Sequence, residues 1–189
     1  NGRRRQRQMC IRDSPYEDLD FTDKETRQLY RIGRGEQGVL LVRPYTNIIC
    51  AHWRFKTPKI ALWSAQTIFD LYLDYLEVED FIGMDMCRKF LEMGFTRSRR
   101  YANHRTGKKY DEEGKVRPQE KDHAHCHFAK SAKIFKSVRD MVAKNDTYIN
   151  MRKEWRSNES TYATRVDALA ASSNVKRARY SRGSTKVSR

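Results

Sequence analysis

Long hydrophobic runs are missing from the chain. No run approaches the roughly 18 apolar residues of a membrane-spanning helix, and no hydrophobic signal core is visible. Its four cysteines, Cys10, Cys50, Cys87 and Cys126, are far apart, which argues against both a disulfide framework and a paired zinc knuckle. A reducing, intracellular setting is therefore expected, cytoplasmic or, in a eukaryotic host, nuclear. There is no nucleophile elbow, no P-loop lysine and no H-E-x-x-H, so no reaction is named and no cofactor is expected. No internal repeat divides the sequence, and 189 residues suit one domain with a sizeable core. Acids are also short: 24 Asp and Glu face 39 Lys and Arg, for a formal charge of +15.

That charge is unevenly spread. Residues 1–14 hold five Arg and one Asp, and residues 157–189 hold seven basic and two acidic residues. The body, 15–156, keeps 27 Lys and Arg against 21 Asp and Glu. Within the body, residues 88–109 alone carry eight basic residues (Arg88, Lys89, Arg97, Arg99, Arg100, Arg105, Lys108, Lys109) against one acid, Glu92. A local excess of this kind is an electrostatic footprint for phosphates or polyanions.

Both ends read as lying outside the folded body. Met9–Ser14, MCIRDS, looks like one reading frame of a transposase adapter from sequencing libraries, and the Arg-rich segment before it has no apolar periodicity. The alternative for 1–14 is a basic arm. Residues 157–189 lose aromatics and gain positive charge, which reads as a disordered basic tail.

Inside the body the expected fold is α+β, mostly α: a β-hairpin packed on four to five helices in a single domain. Gly33, Gly35 and Gly38 have G-x-G-x-x-G spacing but precede the short run Val39–Val42, so a turn entering a strand is the better reading than a dinucleotide site. Ile49, Ala51, Trp53 and Phe55 alternate with Cys50, His52 and Arg54, giving a partner strand over 48–55 that pairs with a first strand over about 39–43 across a turn at Pro44–Asn47. Thr57-Pro58 announces a helix with Ala61, Ala65, Ile68, Phe69, Tyr72 and Leu76 inward. A second helix is expected from about Met84 to Met93, stopped by Gly94, and a short third from Thr96 to Asn103. Further helices should start after caps at Asp122 and Asp146, and Trp53, Trp63 and Trp155 should be core.

The helix, glycine turn and Arg-rich short helix resemble a helix-turn-helix in outline, with Arg97, Arg100 and His104 on one face. Arg100, however, stands where a recognition helix buries an apolar residue, so phosphate contact is favoured over base reading. The binding candidates are Arg54, Arg88, Arg97, Arg99, Arg100, Asn103, His104, Arg105, Lys108 and Lys109. They give a non-enzymatic module for nucleic acid or another phosphate-rich partner. The alternative is an enzyme on a nucleotide or phosphorylated small molecule, its pocket shared by residues 33–38, His52, Arg54 and residues 97–104. For it, Glu36, His52, Asp85 and His104 are the acid–base candidates. His123, Cys126 and His127 have ligand chemistry, but neighbouring ligands in a polar loop cannot all reach one ion, so no metal is expected.

Three blocks, RIGRGEQGVLLVRPY (31–45), HWRFKTP (52–58) and GMDMCRKFLEMGFTRSRRYANHRTGKKYD (83–111), together resemble the uncharacterised family domain of unknown function 4385. The resemblance spans roughly residues 16–155 and implies a single domain between the two ends. It implies no activity.

Overall fold

Apolar side chains recurring every three or four positions build this protein helix by helix. The computed structural model describes residues 19–158. Among them are α1 (Lys24–Arg27), α2 (Tyr45–His52), α3 (Pro58–Glu77), α4 (Phe81–Asn103), α5 (His127–Ala143) and α6 (residues 146–158). The two end segments expected to lie outside the fold fall outside the described residues, except that Ser157 and Asn158 continue α6. No described helix is long and apolar enough to cross a membrane.

The helix α4 is the axis. Every residue from Phe81 to Cys87 is buried, so its first two turns are enclosed on all sides, as only a central helix can be. On it pack α2, α3 and α5. Its start is fixed by Asp80, whose Oδ1 accepts the Gly83 N–H at 3.1 Å. The same carboxylate takes the Arg27 guanidinium at 2.6 Å and the Tyr45 hydroxyl at 2.6 Å, tying α1 and α2 to the head of α4. From α6, Trp155 and Tyr148 stack on Phe81 with ring centroids 4.9 Å and 5.9 Å away. Thr57 caps α3 as its sequence announces, accepting the Ile60 N–H ahead of Pro58.

The α+β expectation is wrong. Among the described residues there is no strand, only the isolated bridges Asp20–Arg43 and Tyr110–Val116. The supposed first strand, 39–43, is a succession of turns, with Val39 N–H bonded to Glu36 and Leu41 N–H to Gly38. Gly35 and Gly38 supply positive φ of 58° and 80° there. The supposed second strand is largely α2. Alternation would bury Ala51, which is exposed; the buried residues are Tyr45, Thr46 and Ile49, with Tyr45 and Ile49 four apart on one helical face. A turn over Pro44–Asn47 takes Tyr45 out of the helical period that it shares with Ile49.

The two helices expected around Gly94 are one. Gly94 lies buried inside α4, and a Cβ there would meet the Phe135 ring of α5 at 2.5 Å. It is a point of close helix approach, not a stop, and the helix-turn-helix outline disappears with it. Three smaller expectations shift. Asn145, not Asp146, caps α6 through the Tyr148 N–H, and α5 starts at His127 rather than near Asp122. Trp63 is not core: it is 57% exposed and sits beside His52, with ring centroids 6.2 Å apart.

Candidate functional site

One carboxylate interrupts the apolar start of α4. Asp85 is wholly buried, and its helix brings Arg88 (i+3) and Lys89 (i+4) onto the same side. From α6 come Tyr148 and Arg152, themselves i and i+4, and from the segment after α1 comes Tyr30. Asp85 Oδ1 accepts from the Tyr148 hydroxyl at 2.6 Å, Arg88 Nε at 2.9 Å and Arg152 Nη1 at 3.2 Å. Its Oδ2 accepts from the Tyr30 hydroxyl at 2.5 Å and faces Lys89 Nζ at 3.5 Å. Arg88 Nε and Arg152 Nη1 also donate to the Tyr148 oxygen, at 2.7 Å and 3.0 Å. The Lys89 side chain is 1% exposed, with its ammonium 5.0 Å from the centre of the Tyr30 ring. Arg88 Nη2 touches the Gly35 carbonyl at 3.5 Å, bringing the glycine turn to this hub.

The electrostatics follow from burial and charge. Burial alone would push Asp85 up, but the charges of Arg88 and Lys89 and the hydroxyls of Tyr148 and Tyr30 hold it well below the usual carboxylate range. Burial, then the charge of Asp85, pushes Tyr30 and Tyr148 up, so both stay neutral donors. Burial pulls Lys89 down against the pull of Asp85. These shifts fix a pH response. Above about pH 10 the unfolded chain releases phenolic protons that the folded chain keeps, so stability falls by about 1.4 kcal/mol per pH unit for each such phenol. Lys89 acts oppositely: up to its unfolded value of 10.5, the unfolded chain binds the proton more tightly, and rising pH favours folding. Five phenols, Tyr30, Tyr45, Tyr72, Tyr75 and Tyr148, are raised in this way, and one lysine offsets only part of their effect, so urea denaturation from about pH 8 to about pH 12 should show stability declining from about pH 10. Tyrosinate absorbance showing all ten tyrosines ionising together near pH 10 in the folded protein would contradict this.

The structure separates the candidates that the sequence grouped. Arg88 belongs to the hub and shares Asp85 with Lys89. Arg99 is half-buried, bonded to the His123 carbonyl at 3.0 Å and to Asn103 Oδ1 at 2.8 Å. Asn103 also lends its carbonyl to the Glu120 N–H. His104, expected outward with Arg97 and Arg100, is buried at the end of α4, where its N–H closes the helix on the Arg100 carbonyl. Arg54 folds back on the carbonyls of Trp53 and Cys50, at 2.7 Å and 3.3 Å. Glu36 accepts from Thr96 Oγ1 at 2.6 Å.

No contact joins Glu36, His52, Asp85 and His104 to one another. The hub accounts for Asp85, Trp63 lies beside His52, and Thr96 holds Glu36. His123, His125, Cys126 and His127 occupy the turn into α5, where no three His, Cys, Asp or Glu among the described residues gather as metal ligands would. At the surface are Arg97, Arg105 and Lys108, with Arg100 and Lys109 half-exposed.

Tyr30, Tyr148 and Arg152 escaped the sequence reading. The available signal was the lone acid in the apolar run GMDMC, which had to find cations inside the fold, together with the i, i+4 spacing of Tyr148 and Arg152.

No curated protein and no solved structure matches the chain. Residues 12–158, which hold both the Asp85 hub and the basic end of α4, match the family described as domain of unknown function (DUF4385), and the chain belongs to that family.

Proposed function

We propose that this is a non-enzymatic nucleic-acid-binding domain whose contact surface is the basic end of α4 and the loop after it. One observation carries the reading. After the hub has taken Arg88 and Lys89, the cations Arg97, Arg100, Lys108 and Lys109 meet no carboxylate among the described residues. Arg105 adds to them: its side chain is 75% exposed, and its nearest acids, Glu120 and Asp122, stand at 3.7 Å and 3.9 Å. Exposed ion pairs of that length contribute little and yield readily to a better partner. The Lys109 ammonium lies 5.4 Å over the ring of exposed Tyr110, and an exposed aromatic among cations suits stacking against a base. With α4 unbroken at Gly94, nothing favours base reading in a groove. The partner groups are backbone phosphates.

Salt dependence tests this. Anisotropy of labelled oligonucleotides, titrated with the full chain over a salt series, should give log–log slopes of about −0.7 to −0.9 per phosphate neutralised. Arg97→Ala, Arg100→Ala and Lys108→Ala together should flatten the slope by roughly two to three units while the melting temperature holds. An unchanged slope would move the binding site off this surface, with the basic residues of 157–189 the next place to look.

A further inference from the structure

We infer that Arg88 and Arg152, set around Asp85, form a binding site for a phosphate oxyanion beside the Gly35 turn. The site is independent of the nucleic-acid surface proposed above. Its basis is a charge count that does not close among the described residues. Arg88, Lys89 and Arg152 bring three positive charges to one carboxylate, and the two tyrosines are neutral. Asp85 cannot answer further, because a carboxylate offers about four lone-pair positions and five donors already converge on it. Uncompensated charge of this kind is costly away from water. The excess of two cations matches the roughly −1.5 to −2 carried by a phosphate monoester near neutral pH.

The geometry leaves the necessary donors. Arg88 uses Nε on Asp85 and Tyr148, and its Nη2 reaches only the 3.5 Å contact to the Gly35 carbonyl. Arg152 uses only Nη1 within the hub. Both guanidinium groups thus keep N–H donors with no acceptor among the described residues. The side chains are 12% and 32% exposed, so an anion reaches them from solvent while the carboxylate stays sealed behind. Two planar forks held by a shared carboxylate are pre-organised for an oxyanion with several equivalent acceptors. Tyr148, bonded to Asp85 and accepting from both arginines, fixes their relative position.

The experiment titrates the full chain with inorganic phosphate and reads the melting temperature, with sodium chloride at equal ionic strength as the reference. A saturable upward shift is expected with phosphate and not with chloride. Arg152→Gln should weaken phosphate at least about tenfold, because it removes one fork from the more exposed side of the site. The triple variant Arg97→Ala, Arg100→Ala, Lys108→Ala should bind phosphate like the parent, so failure here and failure of the nucleic-acid reading are separate results. Circular dichroism checks folding. If Arg152→Gln does not fold, Arg152→Lys carries the test, since it keeps the charge and loses the fork. In the triple variant, displacement of phosphate by a phosphodiester oligonucleotide would identify backbone phosphate as the natural occupant, and its absence a free phosphate or monoester; both uphold the site. No saturable shift beyond chloride, or full phosphate affinity in the Arg152 variant, overturns it.

Discussion

Asp85→Asn should destabilise the protein by about 3–5 kcal/mol, a large share of the roughly 5–15 kcal/mol that holds a domain of this kind folded. The substitution preserves shape and removes only the charge, leaving Arg88, Lys89 and Arg152 clustered without a counter-ion among the described residues. Lys89 should dominate the cost because it is enclosed within the protein, whereas Arg88 and Arg152 retain some access to water. Lys89→Met in the same background should therefore recover part of the loss. Urea denaturation of the two single variants and the double variant closes the cycle. A loss under about 1 kcal/mol for Asp85→Asn would mean that the hub is not held together by its carboxylate. The acid limb has a defined sign. The folded-state value of Asp85 is depressed, so its contribution is complete above the unfolded value of 3.8 and is lost as pH falls through the folded one.

The hub also shows how far the sequence could be read. The basic excess between Arg88 and Lys109 was visible by counting, but counting treats every cation in a run as equally available. Arg88 and Lys89 sit one turn after a carboxylate embedded in GMDMC, and the fold turns both inward to it. Their other partners, Tyr30 and Tyr148, lie 55 and 63 positions from Asp85 along the chain, beyond any local pattern. Helices with strong local signals were legible: Thr57-Pro58 and the apolar spacing place α3 almost to the residue, with Ala61, Ala65, Ile68 and Tyr72 buried as expected and Phe69 and Leu76 only partly so. The segment 45–52 was not, because Ile49 satisfies both a two-residue and a four-residue period. Only the burial of Tyr45, which bonds to Asp80 at 2.6 Å, decides between them. His104 misled similarly, since a residue at a helix end is not bound to the face that its spacing suggests.

Gly94→Ala should destabilise by about 1–3 kcal/mol, even though alanine is the better helix former by about 1 kcal/mol. A methyl group at this position would lie 2.5 Å from Cδ1 of Phe135 and 2.7 Å from Cε1 and Cγ, well inside contact distance along one side of a buried ring. Phe135 is fully enclosed between α4 and the rest of the core, so it cannot swing aside cheaply, and the two helices must separate instead. The intrinsic gain in propensity is then outweighed by overpacking. The compensating change is specific. Phe135→Leu alone should cost about 1–2 kcal/mol as a cavity, but combined with Gly94→Ala it should cost less than the sum, because the added methyl occupies space the ring has vacated. A helix stop at Gly94 predicts a different pattern. Glycine there would hold a positive φ, alanine would be strained by its own backbone, and shortening Phe135 would give no relief. Chemical denaturation of the two single variants and the double variant separates these outcomes. Strict additivity would overturn the close helix approach and restore the break in α4 that the sequence suggested.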